Sequence, residues 1–108
     1  MSEIHDTGPV TPRQAEVYKK EYQHGVDLFQ RALGQSAKSD NPYQKEQFGE
    51  VMDKAMQVLN ETARELKRKD LLSQNKQISQ DYQAYQQSPS DAMREKLIHD
   101  LDKAKHSI

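Results

Sequence analysis

The chain contains no cysteine and no tryptophan, and only 6% of its residues are aromatic. The lack of cysteine excludes a disulfide framework, a thiolate zinc site and a cysteine nucleophile. Long apolar runs are also missing, because no stretch approaches the roughly 18 apolar residues that a membrane-spanning helix requires. The amino terminus lacks the basic and apolar regions of a signal peptide, so we expect a cytosolic protein that does not engage a membrane.

Large aliphatic side chains are scarce as well. Leu, Ile, Val and Phe make up 19 of the 108 residues, below the roughly 20% at which disorder becomes a serious interpretation. Disorder also requires a high net charge, whereas 16 basic and 17 acidic side chains leave this chain at -1. The near-neutral charge gives no overall attraction to nucleic acid or anionic lipid. We therefore expect one small domain with a thin core built from narrow apolar helix faces.

Four prolines and four glycines divide the chain into segments. Residues 1–10 contain Gly8 and Pro9 and show no apolar period, so they are predicted to form a flexible tail. Further along, a capping side chain stands directly before a proline at three positions, which is typical of a helix start. These three starts are Thr11-Pro12, Asn41-Pro42 and Ser88-Pro89.

Between the start signals, apolar residues recur every three or four positions, as on one face of a helix. The spacing predicts helices at about 12–33, 42–69, 71–87 and 89–106. Gly34 is expected to end the first helix, and the polar segment 34–41 is expected to reverse the chain. The first two stripes match in length, which favours an antiparallel hairpin. Residues 11–108 are therefore predicted to form one all-α domain, an antiparallel helical hairpin extended to a three- or four-helix bundle.

The apolar stripe changes direction between Leu66 and Leu71. Five residues at about 100° each rotate the stripe by about 140°, so one straight helix cannot present both faces to the same core. A break near residues 69–73, with Asp70 as the cap, is favoured over one rod from 42 to 87. The rod stays open as an alternative because the segment has no glycine or proline, and a continuous helix would favour a coiled-coil assembly.

Sequence motifs for catalysis are absent. The four glycines are isolated, which excludes the glycine-rich loops that bind phosphates. No serine lies in a nucleophile elbow. We therefore predict that the protein is not an enzyme and uses no cofactor.

One set of potential metal ligands lies on the last predicted helix at spacings of four, three and four. The set consists of Glu95, His99, Asp102 and His106. Such spacing brings the side chains together along one stripe, but it is equally typical of ordinary pairs that stabilise a helix. The set also lacks a ligand from a second helix. We therefore predict no metal site.

A basic cluster follows the second apolar stripe and consists of Arg64, Lys67, Arg68 and Lys69. Clustered cations on a helix can neutralise phosphates, so nucleic-acid binding is the alternative function. Acidic residues interrupt the cluster, and Glu65 with Lys69 has the spacing of a solvent-facing ion pair. No aromatic residue is interleaved with the cluster to stack on bases. A solvated helix face is the simpler interpretation.

Tyrosine and glutamine dominate the third predicted helix. Ile78, Tyr82 and Tyr85 depart from the phase of the first hairpin, so we predict that they contact a protein partner or a second copy of the chain. Tyrosine is enriched at interfaces, although it also fills half-exposed helical stripes. Thin stripes leave little stability from self-packing, and association is a common supplement. The predicted function is a non-enzymatic protein–protein interaction module, such as an adaptor, an assembly factor, a chaperone or a regulatory subunit.

Overall fold

Residues 11–108, the part of the chain that the computed structural model describes, contain four helices. They are α1 (Pro12–Lys38), α2 (Pro42–Glu65), α3 (Lys69–Gln87) and α4 (Asp91–His106). No strand occurs within residues 11–108, which confirms the predicted all-α class. The flexible tail predicted for residues 1–10 lies outside the described residues.

The first two helices begin where the capping signals predict. Thr11 Oγ1 accepts a hydrogen bond from the backbone N–H of Gln14 at 3.2 Å. The side-chain oxygen of Gln14 in turn accepts one from the backbone N–H of Thr11 at 3.2 Å. This reciprocal capping box satisfies two amides that have no partner inside the helix. At the second start, Asn41 Oδ1 accepts from the Tyr43 amide at 2.8 Å. Proline follows both caps, where its missing N–H costs nothing.

The predicted end of the first helix and the predicted start of the last helix are wrong. The first helix does not end at Gly34 but continues to Lys38, because Gly34 keeps a right-handed backbone and ends no helix. A glycine stops a helix only where the chain turns into the left-handed conformation. The last helix starts at Asp91 rather than at Pro89, since Ser90 Oγ accepts from the Met93 amide at 3.1 Å and is the cap.

The predicted break between the second and third helices is confirmed, but it lies at residues 66–68 and Asp70 is not its cap. Lys67 adopts a left-handed backbone with φ of 56°. The Arg68 amide donates to Ala63 O at 3.2 Å and the Lys67 amide donates to Arg64 O at 3.0 Å. This pair of bonds is the Schellman motif, which normally uses glycine at the position that Lys67 occupies.

The four helices form a closed ring in which each packs against two neighbours. α1 contacts α2 and α4, and α3 contacts the same two helices. Side-chain hydrogen bonds show the relative direction of α1 and α4. Asp27 of α1 bonds to Lys105 of α4, and Gln30 of α1 bonds to Asp102 of α4, so the two helices are antiparallel. The core runs along the axis of the ring. Its largest fully buried side chains include Tyr22, Phe29, Leu33, Leu59, Leu71, Ile78, Leu97 and Leu101.

A buried polar network ties three helices together. Tyr22 Oη donates to Asn75 Oδ1 at 2.6 Å, and Asn75 Nδ2 donates to Leu59 O at 2.9 Å. Tyr22 is fully buried and Asn75 is 1% exposed. Burial raises the pKa of the Tyr22 hydroxyl above its usual range, so this phenol remains a donor. The network therefore fixes how α1, α2 and α3 are aligned along the bundle.

Candidate interaction grooves

The residues predicted as a contact surface lie at different depths in the bundle. Ile78 is fully buried and Tyr82 is 5% exposed. The Tyr82 hydroxyl donates to Asp53 Oδ1 at 2.9 Å, and its ring meets Phe29 edge-on with centroids 5.1 Å apart. Tyr85 is half-buried and packs against the core from outside. Of the three residues, Tyr85 alone presents part of its side chain to a second molecule.

Tyr85 lines a groove at the end of the bundle where α1 finishes and α4 begins. This Tyr85 groove has a volume of about 440 Å³. Residues from all four helices and from the α3–α4 turn line it, including Ser36, Lys45, Met52, Tyr85, Pro89 and Arg94. Met52 is 3% exposed and joins the groove to the hydrophobic core. An apolar base with polar walls is the usual construction of a site for an apolar group.

Cations outnumber carboxylates around the Tyr85 groove. Lys45 and Arg94 lie on its wall with a single carboxylate, that of Asp91. Arg94 Nη2 lies 3.5 Å from Asp91 Oδ1. Asp91 is in the first turn of α4, where the helix dipole favours a negative charge. The wall therefore has a net positive charge, which suits a ligand with carboxylates beside its apolar group.

A second groove lies at the opposite end of the bundle, between the first half of α1 and the last half of α2. This α1–α2 groove has a volume of about 450 Å³. It is lined by Tyr18, Glu21, Val58, Glu61, Thr62, Arg64 and Glu65. Tyr18 and Val58 are half-buried, and Thr62 satisfies its own hydroxyl by donating to Val58 O at 2.7 Å. The groove thus has an apolar base and a rim with three carboxylates and one guanidinium.

Close packing at Gly25 defines one end of the α1–α2 groove. A Cβ atom at Gly25 would lie 3.2 Å from Leu59 Cδ2 and 3.2 Å from Val58 Cγ1. The absence of a side chain lets the two helices approach each other at this level. Tyr18 lies seven residues before Gly25, on the same face of α1, and its side chain lines the groove.

A pair of carboxyl groups lies between α3 and α4. Asp81 is 4% exposed, and its Oδ1 lies 3.4 Å from Lys96 Nζ. One oxygen of Asp81 and one of Asp100 are buried and have no donor among the other described groups. Burial, together with the hydrogen bond and charge of Asp81, raises the pKa of Asp100 to about 6. Burial opposes ionisation of Asp81, but its hydrogen bond with Asp100 and the charge of Lys96 keep its pKa below the usual value.

The basic cluster is divided by the fold. Arg64 lies among the glutamates of the α1–α2 groove. Arg68 donates to both oxygens of Asp70 at 2.9 and 2.7 Å, and also to Ser107 O at 2.8 Å. Lys67 supplies the left-handed turn, while the side chain of Lys69 is exposed in the first turn of α3. Nucleic-acid binding by this cluster stays a prediction.

The potential metal ligands lie along α4 without converging. Glu95 and His99 are exposed. Asp102 Oδ1 accepts a hydrogen bond from Gln30, and His106 Nδ1 lies 2.8 Å from Asp102 O. Within residues 11–108, no group of three or more histidine, aspartate or glutamate side chains is placed to hold a metal ion. The same part of the chain has no helix long and apolar enough to cross a membrane.

Neither groove is predicted from the sequence. The α1–α2 groove has a visible signal, since Val51, Val58 and Glu65 are seven residues apart and so share one flank of α2. The Tyr85 groove has no such signal, because its walls come from segments up to about 60 positions apart. No protein-family model, no curated protein and no solved structure matches the chain.

Proposed function

We propose that this protein is a non-enzymatic protein–protein interaction module that accepts an apolar side chain of another protein in the Tyr85 groove. The observation that carries the proposal is the exposed part of Tyr85 above buried Met52, in a concavity of about 440 Å³. Tyrosine offers a large contact area with little conformational entropy to lose. Methionine adapts its shape to an incoming group.

The polar groups of the Tyr85 groove support binding rather than catalysis. Its charged side chains are Lys45, Arg94 and Asp91, which lie on the wall, and Arg94 pairs with Asp91. Enzymatic acid–base work needs a titratable group within hydrogen-bond reach of the reacting atom, usually with a pKa moved by its surroundings. The carboxyl pair with the altered pKa values, Asp81 and Asp100, does not line this groove.

Energetics favour a partner with one dominant anchor. Interface energy is concentrated in a few side chains that fill well-packed pockets, surrounded by contacts that exclude water. The Tyr85 groove is large enough for one bulky side chain, and its net positive wall favours acidic residues beside that anchor. An adaptor, an assembly factor, a chaperone or a regulatory subunit would each work through such a contact.

Affinity capture from the native cells tests the proposal with three immobilised proteins: the wild type, Tyr85→Ala and Tyr43→Ala. Tyr43 is 67% exposed and lies outside the groove, so it provides the matched control. We expect one or more proteins to bind the wild type and Tyr43→Ala, and to bind Tyr85→Ala about 30-fold more weakly, as for a tyrosine hot spot. Purified partner should reproduce this difference in a titration.

A second groove variant guards against a folding defect in Tyr85→Ala. Arg94→Glu reverses a charge on the wall and removes no core packing, so its helix content should equal that of the wild type. We expect Arg94→Glu to bind the same partner more weakly than the wild type does. Equal binding of that partner by all four proteins would refute the assignment of the groove.

A further inference from the structure

We propose that the α1–α2 groove is a second docking site, and that its occupant is a basic amphipathic helix of another protein. The site is separate from the Tyr85 groove and shares no lining residue with it. The inference goes beyond the proposed function, because it assigns a different surface and states the chemistry of the segment that binds there.

Half-exposed apolar side chains continue along the hairpin beyond the Gly25 end of the α1–α2 groove. Tyr18 and Val58 line the groove itself, and Val51 lies on the flank of Val58 two helical turns away. Leu28 and Val51 are partly buried and pack against the core from outside. Val17, beside Tyr18, is 49% exposed and is one of two large hydrophobic residues on the described surface with that much exposure. The hairpin thus has a half-exposed apolar strip of about two heptads.

The shape of this strip selects a helix as the occupant. An extended peptide gains its affinity from main-chain hydrogen bonds to a sheet edge, and residues 11–108 contain no sheet. A helix instead places side chains at i, i+3, i+4 and i+7 into a groove between two helices. From Val51 to Glu65 the strip is about 21 Å long, which corresponds to a helical segment of about 14 residues.

The rim charge selects a basic helix. Glu21, Glu61 and Glu65 face the groove, and Arg64 is the one cation among its lining residues. Complementary charge steers a cationic partner to the site and disfavours an anionic one. The same rim disfavours a nucleic acid and an anionic lipid surface, which both carry dense negative charge.

Charge also argues against a second copy of this chain in the groove. A two-fold dimer joins the same patch of both subunits, so six glutamates and only two arginines would be gathered in one interface. Like charges placed across an interface are strongly unfavourable. A heterologous basic segment satisfies these carboxylates and covers Tyr18 and Val58 at the same time.

A peptide selection tests the proposal directly, because random peptides sample every charge and every apolar spacing. A display library of random 16-residue peptides is selected against the full chain and counter-selected against the double variant Glu61→Lys, Glu65→Lys. We expect the enriched peptides to be net basic, with apolar residues at helical spacing, and to become helical on binding. In titrations of the best peptide, the double variant should bind at least about tenfold more weakly than the wild type.

Two controls separate the groove from general electrostatics. Glu46→Lys, Glu95→Lys changes the net charge equally at exposed positions outside the groove, and should keep peptide affinity within about twofold. Tyr18→Ala removes the aromatic base and should weaken binding although no charge changes. Tyr85→Ala should bind the peptide as the wild type does, which keeps this test independent of the Tyr85 groove.

Three results would overturn the proposal. One is a selection that yields no peptide able to distinguish the wild type from Glu61→Lys, Glu65→Lys. Another is enrichment of neutral or acidic peptides. The third is an equal loss of affinity in the Glu46→Lys, Glu95→Lys control, which would show that net charge and not the groove attracts the peptide.

Discussion

At the scale of single residues, the hydrogen bond between Tyr22 and Asn75 is the polar contact with most stability at stake. Both side chains are buried, so bulk water cannot replace a lost hydrogen-bond partner. We expect Tyr22→Phe to lower the free energy of unfolding by about 1–3 kcal/mol, because Asn75 Oδ1 would be left without a donor. Urea denaturation at neutral pH measures the difference.

Tyr18→Phe is the matched control for this prediction. Tyr18 lies on the same helix, is half-exposed, and its hydroxyl makes no hydrogen bond within residues 11–108. Loss of the Tyr18 hydroxyl should change the free energy of unfolding by less than about 0.5 kcal/mol. If the two variants are equally stable, the buried network contributes nothing to the fold.

The Asp81–Asp100 pair predicts a pH dependence of stability. The folded protein holds a proton on Asp100 up to about pH 6, whereas an unfolded aspartate releases it near pH 4. Because the folded state binds more protons in this window, this group makes the folded state less stable as pH rises from about 4 to about 6. Lys96 and His99 face the pair and partly offset the effect.

Asp100→Asn should remove this pH dependence. The amide can donate to Asp81 as the protonated carboxyl does, and it carries no charge at any pH. We expect the variant to match the wild type near pH 4 and to be more stable by on the order of 1 kcal/mol at pH 7.5. Urea titrations across that range provide the measurement, with Asp40→Asn in the exposed α1–α2 connection as the control. A constant difference across the range would contradict the shared-proton account.

At the scale of the helices, interior glycines carry unequal constraints. Apart from the neighbouring backbone of its own helix, no described atom lies within 4 Å of a Cβ built on Gly34 or Gly49, whereas at Gly25 it would approach Leu59 and Val58 at 3.2 Å. Alanine is favoured over glycine in a helix interior by about 1 kcal/mol. We expect Gly34→Ala and Gly49→Ala each to raise the free energy of unfolding by about 0.5–1 kcal/mol.

Gly25→Ala should not show this gain, because crowding of the buried Leu59 side chain offsets the helix propensity. Thermal denaturation followed by circular dichroism ranks the three variants. A melting temperature for Gly25→Ala as high as that of Gly34→Ala would show that the α1–α2 contact tolerates a methyl group. The close approach at Gly25 would then not explain where the groove ends.

At the scale of the whole molecule, the ring of four helices buries its own apolar stripes. Within residues 11–108, sixteen hydrophobic side chains form one core to which all four helices contribute. The described bundle is elongated, with extents of 51 × 24 × 19 Å. Self-association is therefore not needed to cover the stripes, although their thinness suggested it.

We expect the isolated protein to be a monomer of 12.5 kDa with a melting temperature independent of concentration. An obligate oligomer melts at a higher temperature when it is more concentrated, because association stabilises the folded state by mass action. Light scattering on a size-exclusion column and melts over a 100-fold concentration range check this. A larger mass, or a melting temperature that rises with concentration, would show that the protein self-associates.

The fold was more predictable than the candidate sites. Helix starts at Thr11 and Asn41 follow from neighbouring residues, since a cap acts within three positions along the chain. The sequence predicts a break near Lys67 but not its position, because no neighbouring residue indicates that a lysine adopts a left-handed backbone conformation. The Tyr85 groove does not follow at all, because its walls join the end of α1, the first half of α2, the end of α3 and the start of α4.

By itself the sequence determined the helical class, the two capped starts and the change of stripe direction after Leu66, since these depend on periodicity and on contacts within one turn. Only the tertiary structure decided that Ile78 and Tyr82 face the core while Tyr85 lines a groove. The physical reason is that a stripe shows which side chains share a face, whereas burial depends on the helices that surround that face. Those neighbours are set by packing between segments that are distant in the chain.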